Sequence, residues 1–364
     1  MNKCNKILIA TGIYPPEIGG PATYAEMMAR ELPKRGIAVG ILPFREVRGY
    51  PKVFRHIMYF FKVIRLSREA DIIFTQDPVS TGVPVIFASW FTGKKVVMRV
   101  AGDYAWEQAR QRFGVADSID DFQDKKYGLR VELFRCLQRF SVKHAGVVIT
   151  PSNYFNRLVS GWLKNKKEIK TIYNGIELSD AFEKAPKYTD KTIITAGRMV
   201  PWKGFDVLIK ILGKLPDWRL IIAGDGADKE RLVDLAKQAG VEKRVEFTGN
   251  IPRTELFSKI YRSHIFALLT TFESFSFQTV EAMHVGVPVI ASNIGNLSEI
   301  IDDGKNGVLV NPTDEDGVRA LIEKIGRENG YAEALSREAI FKAKDFSIEK
   351  TLNSLIDVFN ECVK

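Results

Sequence analysis

The sequence predicts an α/β protein made of two doubly wound parallel sheets. Short, uninterrupted apolar runs alternate with helix-period stretches along the whole chain, the pattern of strands buried on both faces and covered by helices. At 364 residues the chain exceeds one ordinary core and suits two domains. A polar segment, 174–191, contains Pro186 and divides the runs into two sets.

Taken in order, the first half gives strands at 6–11, 39–43, 71–75, 95–100, 146–150 and 170–173. Helical patterns such as 23–35 and 130–143 lie between them. The second half gives strands at 192–196, 219–223, 245–248, 265–269, 288–291 and 308–310. Its helices fall at 205–214, 229–239, 255–262, 277–284, 296–301 and 314–326. The expected domains are 1–180 and 181–345, followed by an amphipathic helix in 346–364.

Composition narrows the function classes. Hydrophobic residues at 45% and charged residues at 27% exclude a disordered chain. Cys4, Cys136 and Cys362 lie far apart with no CxxC pair, which argues against a disulfide framework or metal cluster and fits a reducing cytoplasm. The N-terminal apolar run is only about five residues long and enters a Gly/Pro turn, so no signal peptide is expected. No stretch of about 18 apolar residues suggests a membrane span.

Charge is uneven. Residues 1–180 hold 28 Lys/Arg against 17 Asp/Glu, whereas residues 181–364 hold 25 against 27. The basic half calls for an anionic partner: phospholipid, nucleic acid or a phosphorylated acceptor. No nucleic-acid-binding motif is present, which sets that class aside. The stretch YPKVFRHIMYFFKVIRLSR, residues 50–68, mixes cations and aromatics at helical spacing. It is either a helix for an anionic membrane surface or one that packs its aromatics on the sheet with cations outside.

Doubly wound sheets bind ligands beyond the carboxyl ends of their strands. The first such loop carries Gly19 and Gly20 before a helix, where backbone N–H groups and the helix dipole can meet a phosphate. A tight strand–helix turn is the alternative. The spacing is not GxGxxG, which counts against a nicotinamide-dependent oxidoreductase. In AGRMVPWKG, residues 196–204, Arg198 and Lys203 follow a strand. They either neutralise a leaving diphosphate or are two solvated cations. In TTFESFSFQTVEAMHVGVPVIAS, Glu273 ends a strand–loop segment and Glu281 lies about one turn inside the next helix. A carboxylate there can accept from vicinal ribose hydroxyls; the helix dipole alone would also favour an acid near that end. The four histidines have no metal-ligand spacing and GDGAD at 224–228 reads as a turn, so no metal or other cofactor is expected.

GRMVPWKG, AGDGADKERL, VEFTGNIP and FESFSFQTVEAMHVGVPVIAS together resemble glycosyltransferase family 4, the group 1 glycosyl transferases. The resemblance is specific over 192–312 and looser over 1–180, where PPEIGGPATY and NGIE carry it. It implies a GT-B fold, two Rossmann-like domains facing across a cleft, with the last helix packing back on the N-terminal, acceptor-binding domain. It implies a retaining enzyme that moves a sugar from a UDP- or GDP-sugar to a glycan or lipid-linked acceptor in polysaccharide or glycolipid biosynthesis; the cysteine pattern places the expected enzyme in the cytoplasm, and the basic first half places it peripherally on the inner face of the membrane. By this resemblance Arg198 and Lys203 hold the diphosphate, Glu281 the ribose, and Glu273 faces the donor sugar. Ser274 and the amides of Phe275, Ser276 and Phe277 lie near the sugar hydroxyls or phosphate, Asn250 and Ile251 lie against the base, and Gly19 and Gly20 close over the diphosphate. Two departures stand out. Ser274 replaces a common glycine, and Gly102–Asp103 stands where many members carry a histidine. Asp103 either takes a role in the sugar or acceptor pocket or caps a helix beginning at Tyr104. A phosphorylase, an epimerase or a non-catalytic nucleotide-binding protein of the same fold remains a rival reading.

Overall fold

The computed structural model describes residues 3–17, 19–164, 167–178 and 180–363. Ile18 of the first glycine loop and Ser179 of the expected linker lie outside the described residues. The chain divides into two units, Met1–Asn174 with Glu349–Lys364, and Gly175–Ile348.

In the first unit, β1 (Lys6–Thr11), β2 (Ala38–Pro43), β3 (Ile72–Thr75), β4 (Lys95–Arg99), β5 (Val147–Thr150) and β6 (Lys170–Thr171) form a parallel sheet. Its spatial order is β2-β1-β3-β4-β5-β6. Around it lie α1 (Gly20–Glu31), α2 (Lys52–Ser67), α3 (Gly82–Thr92), α4 (Tyr104–Phe113), α5 (Ile119–Asp124), α6 (Leu129–His144) and α7 (Asn153–Trp162). The inner strands β1, β3 and β5 are almost wholly buried, as β-branched runs covered on both faces must be, whereas the edge strands β2 and β6 are largely half-buried.

In the second unit, β7 (Lys191–Ala196), β8 (Trp218–Ala223), β9 (Val245–Gly249), β10 (Ile265–Leu268), β11 (Val289–Ser292) and β12 (Val308–Val310) form the other parallel sheet. Its order is β12-β11-β10-β7-β8-β9. Its helices are α8 (Phe205–Gly213), α9 (Lys229–Gln238), α10 (Arg253–Arg262), α11 (Phe277–Val285), α12 (Leu297–Ile300), α13 (Glu315–Arg327) and α14 (Asn329–Ala343). Phe205, Leu208, Trp218, Ile222, Leu232 and Ile265 belong to one core cluster, each worth roughly 1.5–3 kcal/mol when fully buried.

The unit boundary falls after Asn174, because the segment read as a linker packs on the second unit. Ile176 bridges Ser347, the Tyr188 N–H donates to the Arg262 carbonyl, and Lys187 Nζ donates to the carbonyls of Tyr261 and Ser263. The last helix, α15 (Ile348–Cys362), belongs almost entirely to the first unit. There Phe359 meets the Phe74 ring edge-on, and Asn360 accepts from the Cys4 N–H. Helix α14 has no counterpart in the helices read from the sequence. Only Leu335, Ala339 and Ala343 are buried on it, a stripe too narrow to stand out as amphipathic.

Candidate active site

The order of the second sheet places the site. The chain runs outward from β7 through β8 to β9, then returns to the other side of β7 with β10. The loops after β7 and β10 therefore leave in opposite directions and open a crevice between them, where doubly wound sheets hold ligands. The first of these loops carries Arg198 and Lys203, the second Glu273.

Backbone contacts join the two loops. The Trp202 carbonyl accepts from the Thr271 N–H and from the Thr270 hydroxyl, both at 2.8 Å. Gly204 sits at φ +68 with its α-carbon against the Leu269 backbone. A Cβ there would come within 1.8 Å of the Leu269 carbonyl oxygen, so only glycine allows this approach. The result is an ion pair between Lys203 Nζ and Glu273 Oε1, both side chains largely buried. Arg198 is exposed and has no hydrogen-bond or ion-pair partner among the described residues. One cation of the crevice is thus engaged and one is open to an anion.

Helix α11 supplies the remaining groups. Ser276 is its N-cap and accepts from the Thr279 N–H, so other first-turn N–H groups stay available, the arrangement that favours an anion. Phe275 is buried and packs edge-on against Phe277 and Phe346, which fixes the loop before the helix. Glu281 lies on the same helix and is also buried. Burial pushes its carboxyl pKa up, and the Arg253 guanidinium pulls it part of the way back.

Sequence reading missed Arg253. Its Nε donates to Glu281 Oε1 at 2.9 Å and its Nη2 to the Glu177 carbonyl at 3.1 Å, while the guanidinium covers the Phe257 ring. A usable signal exists: Arg253 opens the first turn of α10, where the helix dipole disfavours a cation. The sequence-based helix starts at 255 and leaves that residue in the loop with Asn250 and Ile251. Asn250 is exposed and Ile251 half-buried, both just beyond β9.

The first unit holds the other predicted residues. Gly19 precedes α1 at φ +155, and a Cβ on it would meet the Ile13 side chain at 2.9 Å, so the pair Gly19–Gly20 makes the tight entry into α1. The switch of strand order in this sheet lies between β1 and β3. Asp77, also missed from sequence, sits in the loop after β3. Its Oδ1 accepts from the Val79 and Ser80 N–H groups, and its Oδ2 lies toward Gly12 in the loop after β1. Burial raises the Asp77 carboxyl against those hydrogen bonds.

Of the two readings of Asp103, the structure shows the cap at the start of α4. The carboxylate is 0% exposed. Its Oδ1 accepts from the Trp106 N–H and from Gln138 Nε2, and its Oδ2 from Gln123 Nε2, each at 3.0 Å. No oxygen is left facing a ligand.

Two such sheets, each with a crevice at its strand switch, define a protein of the two-Rossmann-domain, GT-B class. The match to known proteins is consistent throughout. The model "Glycosyl transferases group 1" matches residues 178–342, and "Glycosyltransferase Family 4" matches residues 18–180. The chain belongs to the family 4, group 1 glycosyltransferases, an enzyme family. The oxidoreductase alternative falls with that assignment.

The D-inositol 3-phosphate glycosyltransferase of Mycobacterium marinum is 32% identical over 181 residues, 48% of this chain and 39% of that protein. The glycogen synthase of Mycobacterium tuberculosis is 30% identical over 178 residues, 47% of this chain and 43% of that protein. The chain thus spans less than half of either relative's length. Among solved structures, sucrose-phosphate synthase from Thermosynechococcus elongatus superposes with TM-score 0.81 at 17% identity and covers 98% of both chains. Anabaena HepE in complex with UDP-glucose superposes at 0.76 with 18% identity, covering 98% of this chain and 99% of that one. At these identities the structural likeness establishes the fold.

Proposed function

We propose that the protein transfers a sugar from a UDP- or GDP-sugar to a hydroxyl of a glycan or lipid-linked acceptor, with retention of anomeric configuration. The pathway class is cell-surface polysaccharide or glycolipid synthesis, carried out in the cytoplasm at a membrane surface. The observation that carries the reading is the Lys203–Glu273 pair beside the unpaired Arg198 at the strand switch. An anion entering there meets Arg198 directly and shares the three Lys203 N–H donors with Glu273. That HepE was solved with UDP-glucose supports the donor class.

In the reaction, the bond from the anomeric carbon to the diphosphate oxygen breaks and its electron pair leaves with the diphosphate. Arg198, Lys203 and the amides at the start of α11 stabilise that growing charge. The acceptor hydroxyl oxygen bonds to the anomeric carbon on the same face, and its proton passes to the leaving phosphate oxygen. Glu273 holds donor-sugar hydroxyls and Glu281 accepts from the ribose. Asn250 and Ile251 flank the base, and Ser274 with the Phe275, Ser276 and Phe277 amides lines the sugar or phosphate. Side-chain cations supply the positive charge, so transfer in excess EDTA proceeds at the same rate on this reading. Loss of activity restored by Mg²⁺ would overturn that part.

The first test is the melting temperature with UDP, GDP, ADP and NAD in turn, since a ligand bound only by the native state raises it. The expected result is a rise with UDP or GDP that Glu281→Ala removes. A rise with NAD alone, or with none of the four at saturation, overturns the donor assignment.

A further inference from the structure

Helix α3 is at odds with its position. Its sequence, GVPVIFASWFT, has no charged residue, yet it lies at the surface. Helices without a polar face are normally buried in a core or in lipid. Here Pro84, Val85 and Ile86 are buried while Phe87, Trp90 and Phe91 stand out, Phe91 at 75% exposure. At about 16 Å it is far too short to span a bilayer, and among the described residues no helix is long and apolar enough to cross one.

The neighbouring helices continue that surface. On α2, Tyr59 and Val63 point inward, whereas Phe54 (61% exposed), Ile57 and Phe61 point out. The packed-aromatics alternative for 50–68 therefore accounts for only half of its apolar residues. Ring contacts join α2 to α3 and, separately, α3 to α6. Phe61 meets Phe60, Phe60 meets Phe91 of α3, and Trp90 meets Phe140 and His144 of α6. Leu133 extends the exposed line along α6.

The charge on these helices is one-sided. Helices α2 and α6 carry four basic residues each and share a single acid, Glu132. Lys52, Arg65, Arg130, Arg139 and Lys143 have no acidic partner among the described residues. Exposed aromatics with unpaired cations and almost no acids match a surface that is apolar just below a layer of negative charge.

We infer that α2, α3 and α6 form one docking face that lies in the plane of an anionic lipid bilayer, with Trp90 and Phe91 of α3 inserted between headgroups. The inference deepens the membrane-surface reading above, and the donor site provides an independent control. The test is co-sedimentation of the full chain with phosphatidylcholine vesicles, with and without phosphatidylglycerol. The wild type should pellet only with the anionic vesicles and be released by salt. Trp90→Ser/Phe91→Ser should weaken the partitioning about tenfold per ring lost, and Arg139→Glu/Lys143→Glu should abolish the preference for anionic lipid. A nucleotide-induced melting shift unchanged in every variant shows that the fold and donor site survive, so vesicle failure bears on this face alone. No binding to anionic vesicles at low salt, or equal binding to neutral ones, overturns the inference. So does a dimer that Trp90→Ser/Phe91→Ser dissociates without vesicle binding by the wild type, which would give the face to a second copy.

Discussion

The two units share one plan and divide the work. Each is a six-stranded parallel sheet covered by helices, but their strand orders differ. Counted within its unit, the second sheet runs 3-2-1-4-5-6, the order of dinucleotide-binding folds, and the first runs 2-1-3-4-5-6. The second unit concentrates its chemistry at the switch, in Arg198, Lys203, Glu273 and Glu281, and residues 181–364 are close to neutral. The first unit keeps its distinctive chemistry on the outside. Of the 13 large hydrophobic residues exposed among the described residues, 11 belong to it, and its cations outnumber its acids. The comparison separates what the fold provides, a crevice beyond the strand ends, from what loops and outer helix faces add.

The variants that best test this division are ordered here by expected effect. Lys203→Ala in the second unit should lower kcat about 10²–10³-fold, the usual loss when one charge-stabilising donor is removed. Near-normal transfer would show that the Lys203–Glu273 pair is structural only. Glu281→Ala should weaken nucleoside diphosphate binding about ten- to a hundredfold by titration calorimetry, the worth of hydrogen bonds to a charged group. An unchanged Kd would remove the ribose from that carboxylate. In the first unit, Asp103→Ala should act on stability instead. It loses a helix cap and strands two glutamine amides, costing about 2–3 kcal/mol in urea unfolding. A loss of kcat without loss of stability would return Asp103 to the acceptor pocket.

The smallest effect concerns pH. Burial raises the Glu281 carboxyl and Arg253 opposes that rise. Its contribution to stability is therefore full below the unfolded pKa and lost as pH rises through the folded one. Donor binding has the opposite sense, since ribose hydroxyls donate to the ionised form. Affinity should fall as pH drops through the raised pKa. Arg253→Ala removes the opposing charge, so the acid limb of the Kd profile should move to higher pH by a severalfold change in affinity near the midpoint, with Arg253→Lys partly restoring it. An unmoved profile would show that Arg253 does not set the ionisation of Glu281.

Much of this molecule is written locally. Eleven of the twelve strands read from apolar runs begin and end within a residue of the observed ones, as 6–11 and 308–310 do without any shift. Loops after those strands carried Lys203 and Glu273, and the helix after the second loop carried Glu281, in recognisable spacing, because a strand end and a helix start are both set by neighbouring residues. Asp103 was legible only as a pair of alternatives. Its decision lay with Gln123 and Gln138, which are 20 and 35 residues away in sequence.

The sequence by itself determined the two sheets, the positions of the loops that carry Arg198, Lys203 and Glu273 and the basic bias of the first half, since periodicity, turn residues and charge are properties of short segments. Tertiary structure alone decided the rest. Strand order fixed which loops meet, so that Trp202 and Gly204 dock on 269–271 and bring Lys203 to Glu273. Packing also brought Arg253 onto Glu281 and Phe60 onto Phe91. Whether an apolar side chain faces the core or the solvent depends on what packs against its helix, and that is not contained in the period of the helix itself.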